Sequence, residues 1–91
     1  MRLQWTSKSL SDLVRLHEFL SPASPTTAAR MVQALVAAPE HLLVNPRIGE
    51  KLEEFDPREV RRILVRHYEI RYEIQEQTVY VLRVWHTRED R

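Results

Sequence analysis

The chain opens on Arg2-Leu3-Gln4-Trp5, where polar and apolar positions alternate. A period of two predicts a short strand with Leu3 and Trp5 on one face. Thr6 or Ser7 then offers an N-cap. Leu10, Leu13, Leu16, His17 and Leu20 follow in the apolar stripe of an amphipathic helix. Ser21-Pro22 ends it, because a residue before proline is pushed out of the α region. Ser24-Pro25-Thr26-Thr27 starts a second helix, with proline tolerated in its first turn. Ala28, Met31, Val32, Leu35 and Val36 form its stripe, and Ala28, Ala29, Ala34, Ala37 and Ala38 permit close approach of the first helix. The short connection predicts an antiparallel helical hairpin. Pro39 either kinks the second helix or begins a short turn through Leu42-Leu43, and Asn45-Pro46-Arg47-Ile48-Gly49 stops it.

From Val60 the period changes to two. Arg61-Arg62-Ile63-Leu64-Val65-Arg66 is β-branched and apolar, and Tyr68, Ile70, Tyr72 and Ile74 alternate with Glu69, Arg71, Glu73 and Gln75 as in a half-buried strand. Gln75-Glu76-Gln77 serves as a hairpin turn without the glycine that tight turns prefer. Val79–Trp85 is almost continuously apolar, which predicts a central strand covered on both faces. The predicted fold is α+β: β-α-α-β-β-β, an antiparallel-dominated sheet with the helical hairpin packed on one face. Residues 1–91 are enough for one domain and too few for two.

Composition narrows the setting. With no cysteine, disulfides and thiolate metal sites are excluded. The N-terminus has no apolar signal-peptide core and no apolar run reaches membrane-spanning length, so a cytoplasmic protein without membrane contact is expected. The formal net charge is +1, yet eight of the twelve arginines lie from Arg58 onward, among six acids. That local excess is too small to indicate nucleic-acid binding by itself. The preference for Arg over Lys fits planar contacts to carboxylate or phosphate, and equally fits cross-strand ion pairs on a solvated face.

The order of elements, together with several local features, resembles the ParE/RelE toxin superfamily. Trp5 followed by Ser11-Asp12-Leu13 resembles its opening strand and first helix, and Ala28-Ala29-Arg30 with Leu35 its second helix. Pro46-Arg47-Ile48-Gly49 is similar to its Pro-x-x-Gly loop. Val60–Val65, Tyr68–Tyr72 and Val81-Leu82-Arg83-Val84-Trp85-His86-Thr87-Arg88 resemble its closing strands, the last being the most specific. Pro39 and the acidic 50–57 linker depart from the pattern. Within the superfamily the ParE branch fits best. The resemblance implies a toxin of a type II toxin–antitoxin pair that inhibits DNA gyrase and is neutralised by a cognate antitoxin in a hetero-oligomer. The alternative within the superfamily is a RelE-like endoribonuclease that cuts mRNA on the ribosome; a non-catalytic protein-binding module is a third reading.

Candidate residues follow from these readings. A nuclease needs a base, phosphate-facing cations and an acid, and His86, Arg83 and Arg61 would supply them, with Arg62, Arg88, Glu59 and Lys51 nearby in the pattern. For a gyrase inhibitor, Arg83, His86 and Arg88 are the expected target contacts, with Arg91 beyond them. A strand-end hydrogen-bond cluster that only fixes the C-terminus is the competing reading of His86 and Arg83. Leu13, Leu16, Leu20, Met31 and Leu35 are the expected antitoxin groove. His17, His41 and His67 lack metal-ligand spacing, and no phosphate-binding glycine loop or nucleophile elbow is present, so no metal and no cofactor are expected.

Overall fold

The computed structural model describes residues 1–89. Strand β1 (Arg2–Trp5) leads into helix α1 (Ser7–Leu20), and α2 (Pro25–Ala37) returns. Two 3₁₀ segments (Ala38–Leu43 and Pro46–Ile48) and a two-residue strand β2 (Glu50–Lys51) follow. A 3₁₀ turn at Glu53–Phe55 precedes β3 (Glu59–Val65), β4 (Tyr68–Gln75) and β5 (Thr78–His86). The five strands lie in the order β1-β5-β4-β3-β2, all antiparallel neighbours except β1 beside β5. The expected α+β order therefore holds, with β2 added between the helices and β3. Two residues without apolar alternation left β2 no periodic signal to read.

Local chemistry sets the boundaries. Thr6 is the N-cap of α1, its hydroxyl accepting from the Ser9 amide at 3.2 Å, and Ser24 caps α2 by accepting from the Thr27 amide at 3.2 Å. Pro39 tightens the end of α2 into the 3₁₀ segment instead of kinking it. That segment carries Leu42 (1% exposed) over the far end of the sheet, where it packs on Tyr72, Ile74 and Val79. The hairpin covers the other end, placing Leu13, Leu16, Met31 and Leu35 on Ile70, Val81 and Val84. Among the described residues no helix is long and apolar enough to cross a membrane.

Two expectations change. β5 lies next to the central strand β4, and a bulge at Leu82, opposite the Arg71/Tyr72 step, interrupts its alternation. Its apolar run therefore reflects a switch of phase: Val79, Val81 and Val84 face the helices, while Trp85 is buried on the opposite face. Glu69 and Glu73, expected in solvent, are 1% and 4% exposed. Both β-hairpin loops have two residues and lack glycine, so Arg66 and Glu76 adopt φ of 55° and 53°, a left-handed conformation costing about 1 kcal/mol each.

The loop at 46–49 is fixed by Tyr72. Its hydroxyl donates to the Pro46 carbonyl at 2.6 Å and accepts from the Gly49 amide at 3.1 Å. A Cβ on Gly49 would fall 2.5 Å from the Tyr72 hydroxyl and 2.6 Å from the Arg62 carbonyl, so the glycine is required by space and not by backbone angle. Gly49→Ala is therefore expected to cost about 1–3 kcal/mol by overpacking. Thermal denaturation should show the melting temperature falling by several degrees, about 4–8 °C per kcal/mol in a domain of this size. An unchanged melt would show that the loop relaxes freely.

Candidate functional site

β1 is too short to cover β5. Its pairing ends at Trp5 opposite Val81, which leaves the edge of β5 from Leu82 onward without a strand neighbour on that side. Side chains take over. The Thr6 hydroxyl donates to the Val81 carbonyl at 2.8 Å. Asp12 accepts from the Val84 amide at 2.8 Å, and Arg15 donates to the Val84 carbonyl at 3.2 Å. Glu89 accepts from the His86 amide at 2.8 Å and pairs with Arg15. In this way α1 and the turn after β5 satisfy backbone groups that a longer β1 would have paired.

Asp12 is the centre of this arrangement. It is 3% exposed and receives Arg83 in a two-pronged contact, Nε at 2.9 Å and Nη2 at 3.1 Å, with Arg15 at 3.1 Å. Burial alone would raise its pKa. The hydrogen bonds from Arg83, the Val84 amide and Arg15 outweigh that, and the carboxyl sits below its usual 3.8.

The sheet face away from the helices carries a lattice of the same kind. Arg62, Arg71 and Arg83 stand side by side across β3, β4 and β5. Arg62 and Arg71 fold over Glu69 at 3.2 and 3.3 Å. Arg58 grips Glu73 at 2.8 and 3.2 Å, with Gln75 at 3.1 Å, and its hydrogen bonds pull the Glu73 carboxyl below the usual 4.5 against the effect of burial. This explains why both glutamates are buried: the guanidiniums that neutralise them also roof them. Aromatic rings interleave. Phe55 lies between Arg58 and Arg71 at 5.9 and 5.3 Å, and Trp85 between Arg71 and Arg83 at 4.7 and 4.9 Å.

The sequence-predicted residues separate into groups. Arg61 is tied to Glu59 at 2.9 Å and to the Gly49 carbonyl at 2.8 Å, and Glu59 also holds Arg47. Lys51 pairs with Asp56 at 3.3 Å, and Arg62 with Glu50 at 2.6 Å. His86 packs edge-on against Tyr68, ring centroids 5.1 Å apart, and its Nδ1 accepts from the Arg88 amide at 3.1 Å. The row Arg61–Tyr72–Val81 and the row Val65–Tyr68–His86 lie four residues apart on β3, about 13 Å at strand rise. The three residues expected to cooperate in RNA cleavage therefore do not meet. Arg91 lies outside the described residues.

The expected apolar groove is corrected. Leu13, Leu16, Met31 and Leu35 are 1–8% exposed because their stripe faces the chain's own sheet. What the hairpin shows outward is Leu10, Val14, Phe19 and Val36, with Phe19 81% exposed. Leu20 is half-buried; with Leu16, Phe19, Tyr68, His86 and Arg88 it lines a cavity of about 490 Å³ between α1 and the ends of β4 and β5. The sequence had no means of showing Phe19, which stands off the main stripe.

A family model for the ParE toxin of type II toxin–antitoxin systems matches residues 3–91. The chain belongs to this family. It is 32% identical over 82 residues to Toxin RelE2 of Caulobacter vibrioides, covering 90% of each. In fold it is similar to a chain of the chromosomal ParDE system from P. aeruginosa, with a TM-score of 0.78, 22% identity and 92% of each chain covered.

The clamp has a pH signature. Asp12, Glu59 and Glu73 all have folded pKa values below the ordinary 3.8 or 4.5. Such groups contribute stability that is complete above the unfolded value and lost as pH falls through the folded one. The melting temperature should stay level above about pH 5 and drop steeply below about pH 4. Asp12→Asn should lower the melt at neutral pH and make the acid drop shallower. An equally steep acid drop in that variant would remove Asp12 from the explanation.

Proposed function

We propose that this toxin acts by binding, with DNA gyrase as its target and a cognate antitoxin as its neutralising partner. The observation that carries the non-catalytic reading is the Asp12–Arg83 clamp. In a nuclease of this kind, Arg83 would stand with a general base and a general acid around the reacting phosphate. Here its Nε–Nη2 edge is held by a buried carboxylate, and the hydrogen bond with Asp12 raises its pKa further above its usual value. The cleavage trio is dispersed as well, which supports the same reading. The likeness to Toxin RelE2 keeps mRNA cleavage as the alternative outcome of the test.

Target contact falls to the free end of β5. Arg88 is exposed, and His86 is half-exposed beside the cavity that Phe19 overhangs. Purified toxin should block gyrase supercoiling or trap cleaved DNA while leaving ribosome-bound message intact. Codon-specific cuts in a translation reaction would reverse the assignment. Arg88→Ala should abolish toxicity without moving the melt. Arg83→Ala should lower the melt as well, because it strands Asp12; the loss is about 2–3 kcal/mol, between exposed and buried pairs, since Arg83 is 36% exposed. If Arg88→Ala remains fully toxic, the strand end is not the contact.

The antitoxin is assigned to the outward apolar residues of the hairpin and the Phe19 cavity, where an amphipathic segment would bury them. Phe19→Asp should weaken capture of the co-expressed antitoxin by at least about tenfold, roughly the cost of burying one large apolar side chain. Unchanged co-purification would place the interface elsewhere.

A further inference from the structure

A second cavity, of about 520 Å³, opens on the face opposite the helices, between the start of α1, the 3₁₀ turn at Glu53–Phe55 and strands β4 and β5. Four cationic side chains line it, Lys8, Arg58, Arg71 and Arg83, with Phe55 and Leu82 as apolar walls. Among the described residues no Asp, Glu or His lines it. We propose that this cavity binds a phosphate group, as an anchor and not as a place of cleavage.

Three observations carry this. First, the guanidiniums are prearranged. The Phe55 and Trp85 rings hold Arg58, Arg71 and Arg83 in one stack, so little side-chain freedom is lost when an anion arrives. Second, hydrogen-bonding capacity remains. Asp12 and Glu73 each grip the Nε–Nη2 edge of their arginine, which leaves the Nη1 side of Arg83 and Arg58 turned away from its carboxylate. Third, Lys8 is exposed in a first turn of α1 that holds no acidic residue, where the helix end itself favours an anion.

The carboxylates behind the arginines keep the positive potential local. That favours one tetrahedral oxyanion with several acceptor oxygens over a long polyanion tract. With no base in the lining, a phosphodiester bound there has nothing to activate its 2′-hydroxyl. The inference is independent of the gyrase assignment, because its readout is binding to the purified toxin.

The test is a titration of the isotopically labelled full chain with inorganic phosphate at constant ionic strength, followed by amide NMR shifts. Saturable shifts centred on Ser7, Lys8, Arg58 and Arg71 are expected, with acetate far weaker. Lys8→Glu should weaken binding by about tenfold, the effect of reversing one nearby charge, with an unchanged melt, while Lys8→Arg should retain it. Two further arms identify the source. A single-stranded oligonucleotide that shifts the same resonances at lower concentration marks a nucleic-acid backbone; a nucleoside monophosphate that matches or betters the oligonucleotide marks a free phosphorylated molecule. Shifts that do not saturate, that lie elsewhere, that acetate reproduces, or that survive Lys8→Glu overturn the proposal.

Discussion

The buried carboxylate of Asp12 is the constraint on which the arrangement of this molecule turns. β1 stops at Trp5, so the outer half of β5 would expose unpaired backbone groups at the edge that α1 overhangs. Asp12 answers one of them by accepting from the Val84 amide at Oδ2, and it neutralises Arg83 with both oxygens. A buried charge of this kind is tolerated only when its acceptor capacity is filled, and Asp12 receives four hydrogen bonds from three residues. The helix, the bulged strand and the turn after it are thereby set relative to one another by one side chain.

The outer face extends the same principle. A sheet with helices on one side leaves its other side to water, and polar alternation normally follows. Here carboxylates are buried under guanidiniums, and the guanidiniums are stacked on Phe55 and Trp85. Arginine serves this where lysine would not, because a planar cation both forks onto a carboxylate and lies flat on a ring. The near-neutral net charge thus hides a face on which arginines and carboxylates are locally ordered.

The two faces of the toxin carry different chemistry. On one, Phe19 and its neighbours offer apolar surface that a partner helix would cover. On the other, stacked arginines offer fixed positive charge. Between them Arg88 stands at the strand end. The 3₁₀ segment ending α2 completes the separation by closing the far end of the core with Leu42.

The sequence by itself determined the elements that rest on periodicity and capping. The helices α1 and α2, the start of α2 at Ser24 and the alternation of β4 are local, and each appears where the pattern put it, although Leu10 and Val36 of the expected stripes face outward. The fold class and the family were legible for the same reason: the order of elements is a property of the chain. Which apolar residues face inward was only half legible, because a stripe marks a buried face without saying whether the chain's own sheet or a partner buries it. Tertiary structure decided that Leu13 and Leu35 are core while Phe19 is surface. It also decided the pairing of Asp12 with Arg83, 71 residues apart, and the burial of Glu69 and Glu73. Charge neutralisation acts through space, and no local period encodes it; only when the strands lie in register do the guanidiniums reach the carboxylates that they roof.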